Sequence, residues 1–174
     1  MTAAAPSLLA ALSRARVAAA ARDLEQQMAR LRSAAIAERC DLAIRLTWSG
    51  GHYSFATYRD GDADGVRAED INAGRDTLIE GPRDVWSRYE GIDFGLIDAA
   101  IPEVPPGRGV LPPFGDPVRF GRSDIITFTP RGTASSGTLY VSDGRSAVVA
   151  IVLYGATGRI RICGFDRDLW RWRC

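Results

Sequence analysis

Between Ser7 and Arg39 the chain runs without a glycine or a proline, and no other stretch of it goes so far without one. The segment is rich in Ala, Leu, Arg, Glu and Gln, whose side chains lose little freedom in a helix, and it is predicted to form one helix. Pro6 suits a first helical turn and Ser7 an N-cap. Val17, Leu24, Met28, Leu31 and Ala35 fall on one face of a 3.6-residue period, while Arg14, Arg22, Glu25, Arg32 and Glu38 occupy the rest of the surface. At about 1.5 Å per residue such a helix reaches roughly 50 Å, further than a domain of this size needs for its own core, so part of it should project. Leu8, Leu9 and Leu12 are joined only by Ala, Ser and Arg, which leaves the first turns apolar on more than one side. A helix continuing into a membrane or a packed filament would need such a start; a helix lying across a sheet is the other reading.

The 174 residues, 46% hydrophobic and 25% charged, are enough for one globular domain with its own core. With 22 basic against 21 acidic residues the net charge of +1 provides no global field for nucleic acid or anionic membranes, so any such binding must be local. Every basic residue is Arg, a weak signal that favours forked anion contacts. No run of about 18 apolar residues occurs and Met1 to Ala5 is too short and uncharged for a secretory signal, so the chain as written reads as soluble. Cys40, Cys163 and Cys174 fit no metal-ligand spacing, and with His52 the single histidine the sequence argues against a zinc site. Cys163 and Cys174 can bridge in an oxidising compartment, closing a short C-terminal loop, whereas Cys40 at the helix end reads as a small buried hydrophobe.

From Asp41 the period changes to two. Leu42, Ile44 and Leu46 alternate with Ala43, Arg45 and Thr47, Ser49 to Gly51 turn the chain, and His52 to Arg59 returns with Tyr53, Phe55 and Tyr58 toward one face. Thr77 to Glu80 follows an acidic loop at 60–70, and the aromatic stretch Val85 to Phe94 has no clear period. Ile101 to Pro117 holds six prolines among several glycines and is expected to be an exposed loop. Short β-rich runs follow: Asp124 to Thr129, Thr138 to Ser142, Ala147 to Tyr154 and Arg159 to Phe165. Sequential antiparallel pairing is the economical topology. The expectation is an α+β domain, with a helix over 1–39 whose C-terminal half packs on the antiparallel sheet of a β domain over 40–174.

Two constellations carry possible chemistry. Asp60, Asp62, Asp64 and Gly65 place oxygen ligands on alternate residues with a glycine for the turn, as a Ca²⁺ loop requires, and Asp70 lies near the loop's end. The twelfth position is Ile71, so the usual last ligand is displaced; a solvated acidic hairpin loop is the other reading. Arg159 and Arg161 share one face of a strand, and Arg167, Arg171 and Arg173 follow, interleaved with Trp170 and Trp172. That mixture suits phosphate contacts and base stacking, against a solvated strand face with a packed tryptophan tail. Catalysis has little to stand on: Ser135 and Ser136 lack a nucleophile-elbow motif, and His52 is the only candidate base.

The run Phe128 to Leu139 (FTPRGTASSGTL), the apolar strand Ala147 to Leu153 and Gly158 to Ile162 (GRIRI) resemble, in order and spacing, the closing hairpins of GspH/FimT-type minor pseudopilins. Ala3 to Pro6, the Arg- and Ala-rich helix and the strand after it resemble a pilin helix leaving its membrane half and joining the globular domain. The processing site and apolar half-helix of such proteins are not present here, which reads as a removed segment. The resemblance implies an inner-membrane, single-pass protein with its domain in the periplasm. It would be a non-catalytic subunit of a type II secretion pseudopilus or a type IV pilus, with other pseudopilins or minor pilins as partners. In some FimT-like members the Gly-Arg-x-Arg strand captures DNA, and that role maps onto Arg159 and Arg161. An independent calcium-stabilised, adhesin-like domain is a third reading.

Overall fold

The computed structural model describes residues 4–174, with side chains from Leu8 onward. Helix α1 (Ala4–Glu38) is followed by β1 (Leu42–Ser49), β2 (His52–Arg59), the short α2 (Ala68–Ala73), β3 (Thr77–Asp84), β4 (Asp93–Phe94), β5 (Ile101–Pro102), β6 (Val110–Leu111), β7 (Val118–Arg119), β8 (Ile125–Phe128), β9 (Gly137–Ser142), β10 (Val148–Tyr154), β11 (Arg159–Asp166) and β12 (Arg171–Arg173). This is an α+β architecture, one long N-terminal helix and antiparallel sheets. No helix among the described residues is long and apolar enough to cross a membrane.

Because α1 begins at Ala4, Pro6 lies in its first turn and Ser7 lies inside the helix, not at its N-cap. At the other end Arg39 takes a left-handed φ of 54° and the Cys40 N–H donates to the Ala35 carbonyl at 3.3 Å. That is the closing bond of a helix end built around a left-handed residue, a position usually given to glycine. The thiol of Cys40, half-buried, then donates to the Asp60 carbonyl at 3.3 Å, tying the helix end to the acidic loop.

Two sheets, not one meander, face the helix. The first has the order β3-β2-β1-β8, the second β12-β11-β10-β9, with β4 and β7 sharing the free edge of β9. Sequential pairing holds within β1-β2-β3 and within β9 to β12. It fails at β8, which returns to pair with β1, Leu42 opposite Phe128 and Ile44 opposite Ile126. The reason is apolar area: Ile126 and Phe128 are fully buried and complete the inner face begun by Leu42, Ile44 and Leu46. In the second sheet Leu139, Val141, Val149, Ile151 and Leu153 form the matching inner face. The predicted stripe of α1 lies between them, with Val17, Leu24, Met28 and Ala35 buried and Leu31 partly so. Ala20 and Ala21 are buried as well, the small side chains letting the helix approach closely. Packing starts near Ser13, so only the first turns project, with Leu8 71% and Leu9 67% exposed.

The outer face of each sheet is covered by a loop. Tyr58, expected beside Phe55, instead faces the outside of the first sheet with Ala43 and Ile125, under Val66 and Ile71 of the acidic region. The proline-rich segment is not the exposed loop expected of it. Its β5-β6 pair sets Ile101, Val104 and Leu111 against Tyr140, Ala150 and Cys163 on the outer face of the second sheet. One short strand pairing of two residue pairs, with turn bonds such as Glu103 N–H to the Gly109 carbonyl, satisfies the backbone there, which is how a segment so rich in proline enters a core.

The two motif runs meet at the helix. The Ala134 N–H donates to the Gly155 carbonyl at 2.8 Å and the Ser135 N–H to the Thr127 carbonyl at 2.9 Å, so the segment after Phe128 stitches the first sheet to the second. Arg32 of α1 closes the seam, its Nε donating to the Gly132 carbonyl at 2.8 Å and a terminal nitrogen to the Thr157 carbonyl at 3.0 Å. Gly158, at φ +60°, lies under that guanidinium, and a Cβ there would collide with Arg32 Nε and the Gly132 carbonyl oxygen. At the far end of α1, the Ser13 hydroxyl donates to Asp143 in the β9-β10 turn. Burial pushes the Asp143 carboxyl up, but donors from the Ala147 amide, Ser13, Ser146 and the Arg145 amide outweigh it and bring it down to about 2.

Gly158→Ala should lower the free energy of unfolding by at least about 2 kcal/mol in urea, combining left-handed strain with displacement of Arg32. Gly74→Ala, at φ +73° with open space around it, should lose only about 1 kcal/mol. Equal losses at the two sites would show that the Arg32 seam contributes nothing. The low value at Asp143 means that its ionised form stabilises the fold above about pH 4, and that this stabilisation fades as pH falls toward 2. The stability difference between wild type and Asp143→Asn, about 1 kcal/mol after discounting for solvent at a half-buried site, should therefore shrink across that window. A constant difference from neutral pH down to about 2 would contradict the assignment.

Candidate functional site

The acidic loop folds around its own backbone. Asp60 Oδ1 accepts from the Asp62 and Ala63 N–H groups at 3.1 and 2.8 Å, and Oδ2 from the Gly65 N–H at 3.0 Å. Asp64 pairs with Arg67 at 2.5 Å, and the buried Asp70 is held by Arg75, whose Nε donates at 2.6 Å. Asp62 lies 3.5 Å from the same guanidinium. Partial dehydration, and then its neighbour Asp64, push the Asp62 carboxyl above the ordinary carboxylate value. The expected ligands do converge: oxygens of Asp62, Asp64 and Asp70 lie within 4.8 Å of one another, as do those of Asp60, Asp62 and Asp76. Their lone pairs, however, already receive N–H donors and two guanidinium groups, so this donor set does not fit a calcium ion without displacing Arg67 and Arg75. Asp76 escaped the sequence reading because it lies beyond the acidic run. It is 3% exposed and spans the loop, accepting from the Gly61 N–H at 3.2 Å and the Arg67 N–H at 2.9 Å.

The arginines are divided by the pleat. Phe165 pairs with Trp172 and Asp166 with Arg171, so Arg159 and Arg161 share the outer face of the second sheet with Cys163, Phe165 and Trp172. Arg171 and Arg173 lie on the opposite face. Arg161 is half-buried under the proline-rich hairpin, donating to the Pro105 carbonyl at 2.7 Å and lying 5.4 Å from the Tyr154 ring centroid. Arg173 pairs with Asp166 at 2.7 Å, and Arg167 reaches the Arg145 carbonyl at 3.4 Å. Arg159 and Arg171 stay exposed without a hydrogen-bonded partner among the described residues. The five residues thus form no continuous basic patch. Trp172 is not a stacking platform either, since its indole N–H donates to the Pro102 carbonyl at 2.7 Å and its ring packs on Tyr140 and Phe165. Cys163 and Cys174 are joined by a disulfide that closes β11 onto β12. The Ser135 and Ser136 hydroxyls accept the Thr127 and Gly155 N–H groups, each at 3.0 Å, and are part of the seam.

His52 leads to a feature that no motif announced. Leu42, Ile44, Leu46 and Trp48 share one face of β1, and at the tip of the β1-β2 hairpin Trp48 continues that face past the buried core and is 58% exposed. It packs edge-on against Tyr53, ring centroids 4.9 Å apart. His52 stacks at 5.0 Å on Trp86, and its Nδ1 lies 3.0 Å from Asp93 Oδ2. Phe94, Phe114, Asp116 and the Asp143 turn complete a cleft of about 650 Å³. Burial pushes the Asp93 carboxyl up, and His52 and the Phe94 N–H pull it partly back. Of its walls the sequence names His52 and Tyr53 in the returning strand, and Trp48 ends the alternating strand beside the Ser-Gly-Gly turn. The other walls come from irregular segments that carry no period.

Comparison with protein-family models, curated proteins and solved structures finds no match for this chain.

Arg75→Ala should unload Asp70 and Asp62 and turn the loop into a cation acceptor. Millimolar Ca²⁺ is expected to leave the thermal midpoint of the wild type unchanged and to raise that of Arg75→Ala by about 2–4 °C. A comparable rise in the wild type would mean that the guanidinium groups yield to the ion.

Proposed function

We propose that this domain is a structural subunit of a type II secretion pseudopilus or type IV pilus, of the minor pseudopilin kind, and that it works by assembly. The observation that supports this most is the division of labour along α1. From Val17 to Ala35 it fills the groove between two sheets, while Leu8, Leu9 and Leu12 stay exposed, Leu9 and Leu12 lining only a surface groove beside Trp86 and Ile92. An apolar helix end that the domain leaves exposed is suited to packing beside other helices in a filament or a membrane.

The runs that resemble pseudopilins have structural work in this fold: the segment after Phe128 joins the sheets, and Gly158 makes room for Arg32. The Cys163–Cys174 disulfide accords with an oxidising compartment such as the periplasm, where the domain would face away from an inner-membrane helix.

Leu9→Asp combined with Leu12→Asp tests the reading in cells that make the filament. The thermal midpoint of the purified domain should stay within about 2 °C of wild type, because both positions are exposed. Recovery of the protein with sheared filaments or with its partner pilins should drop at least about tenfold, the ratio that about 1.4 kcal/mol of lost packing produces. Undiminished recovery of the double variant, or a wild-type protein found in neither the filament nor the membrane fraction, would refute it.

A further inference from the structure

The cleft beside His52 is unusual in its ionisable groups. All 22 basic residues of the chain are Arg, distributed through every region of the sequence, and none of them lines this cleft. What lines it is carboxylate and aromatic: Asp93, Asp116 and Asp143 with Trp48, Tyr53 and Trp86. The aromatic walls are not core residues that happen to touch solvent. Trp86 is 43% exposed and Phe114 63%, and with Trp48 they present ring surface to solvent beyond what the contacts with His52 and Tyr53 cover.

The carboxylates act on one place. The Tyr53 phenol is pushed up by burial and then by Asp116, Asp124 and Asp93 together, so their fields converge at the floor of the cleft. Asp93 is already bound to His52, and Asp143 is consumed by its turn and Ser13. Asp116 accepts the Val118 N–H on Oδ1 at 2.9 Å, and its Oδ2 has no donor among the described residues. Rings that offer their faces, a converging negative potential and one available carboxylate oxygen together select a cation. Rings alone would serve a neutral sugar, but the acidic lining and the exclusion of arginine are features a sugar would not need.

We propose that this cleft is a docking site for an arginine side chain carried on an extended, basic segment of a partner protein. The guanidinium would stack on the Trp86 and Trp48 faces and direct its N–H groups to Asp116. Arginine suits the site better than lysine because its plane stacks and its fork matches a carboxylate. The cleft shares Trp86, Gly91 and Asp143 with the groove that Leu9 and Leu12 line, so its occupancy is measured on the purified domain, where no filament partner competes.

The test is calorimetric titration of the protein with a blocked Gly-Arg-Gly-Arg-Gly peptide, with the same peptide carrying citrulline for arginine, and with a neutral hexasaccharide. The arginine peptide should bind at least about tenfold more tightly than its citrulline twin, and should weaken several-fold between low salt and about 0.3 M. Trp86→Ala and Asp116→Asn should each reduce affinity about tenfold with an unchanged circular dichroism spectrum. If Trp86→Ala does not fold, Trp48→Ala, at the exposed hairpin tip, takes its place. Equal affinity for the two peptides, no binding at low salt, or preference for the hexasaccharide would each overturn the proposal. Self-association of the protein that blocks the cleft and is relieved by Trp48→Ala would overturn it too, by making a second copy the occupant.

Discussion

The burial of one helix face between two sheets is the interaction on which the rest of this molecule depends. Neither sheet has a second apolar layer of its own on its inner side: Leu42, Ile44, Ile126 and Phe128 from one and Leu139, Val141, Ile151 and Leu153 from the other meet on Val17 to Ala35 of α1. Burying a side chain of this size is worth roughly 1.5–3 kcal/mol, so the helix is the common partner that lets both sheets exist in one domain. This explains why its ends are fastened so firmly. Arg32 grips the seam at one end and Ser13 binds the Asp143 turn at the other, both through buried or half-buried carbonyls and carboxylates that would otherwise lack donors.

Arginine does much of the internal joining. Arg32 holds two loop carbonyls, Arg161 caps the Pro105 carbonyl under the second sheet's hairpin, and Arg75 neutralises the buried Asp70. A guanidinium keeps its charge when half-buried and offers five donors from one plane, so it can satisfy several oxygens at a loop crossing. The composition therefore has a structural reading: several residues that look like anion binders in a list of charges are committed to the chain's own carbonyl and carboxylate groups. The arginine-free lining of the cleft gains its meaning from the same contrast.

The candidate sites were legible to different depths for a physical reason. Asp60, Asp62 and Asp64 lie within a few residues of one another, so their convergence follows from a tight turn; the guanidinium of Arg75 that offsets their charge, and Asp76, which accepts the loop's Gly61 N–H, arrive from beyond α2. Arg159 and Arg171 could be named from charge alone, yet the hairpin register that turns them to opposite faces depends on where β11 reverses into β12. Trp86, Asp93 and Phe114 lie in segments without a period. They become neighbours because β4 and the end of the proline-rich loop both close against the same end of the core.

Local chemistry determined the helix, its buried stripe from Val17 to Ala35, the β1-β2 hairpin and the strands from Ile125 onward. Each of these is written in a 3.6- or 2-residue period or in a breaker, and such patterns act between near neighbours along the chain. The tertiary structure alone decided that β8 crosses back to β1, that Ile101 and Leu111 enter the core despite six surrounding prolines, and that the arginines are split between faces. It also decided that an acidic, aromatic cleft opens beside the tip of the β1-β2 hairpin. Those outcomes rest on which apolar surfaces remain uncovered once α1 has docked, a quantity set by the whole fold and by no local stretch of residues.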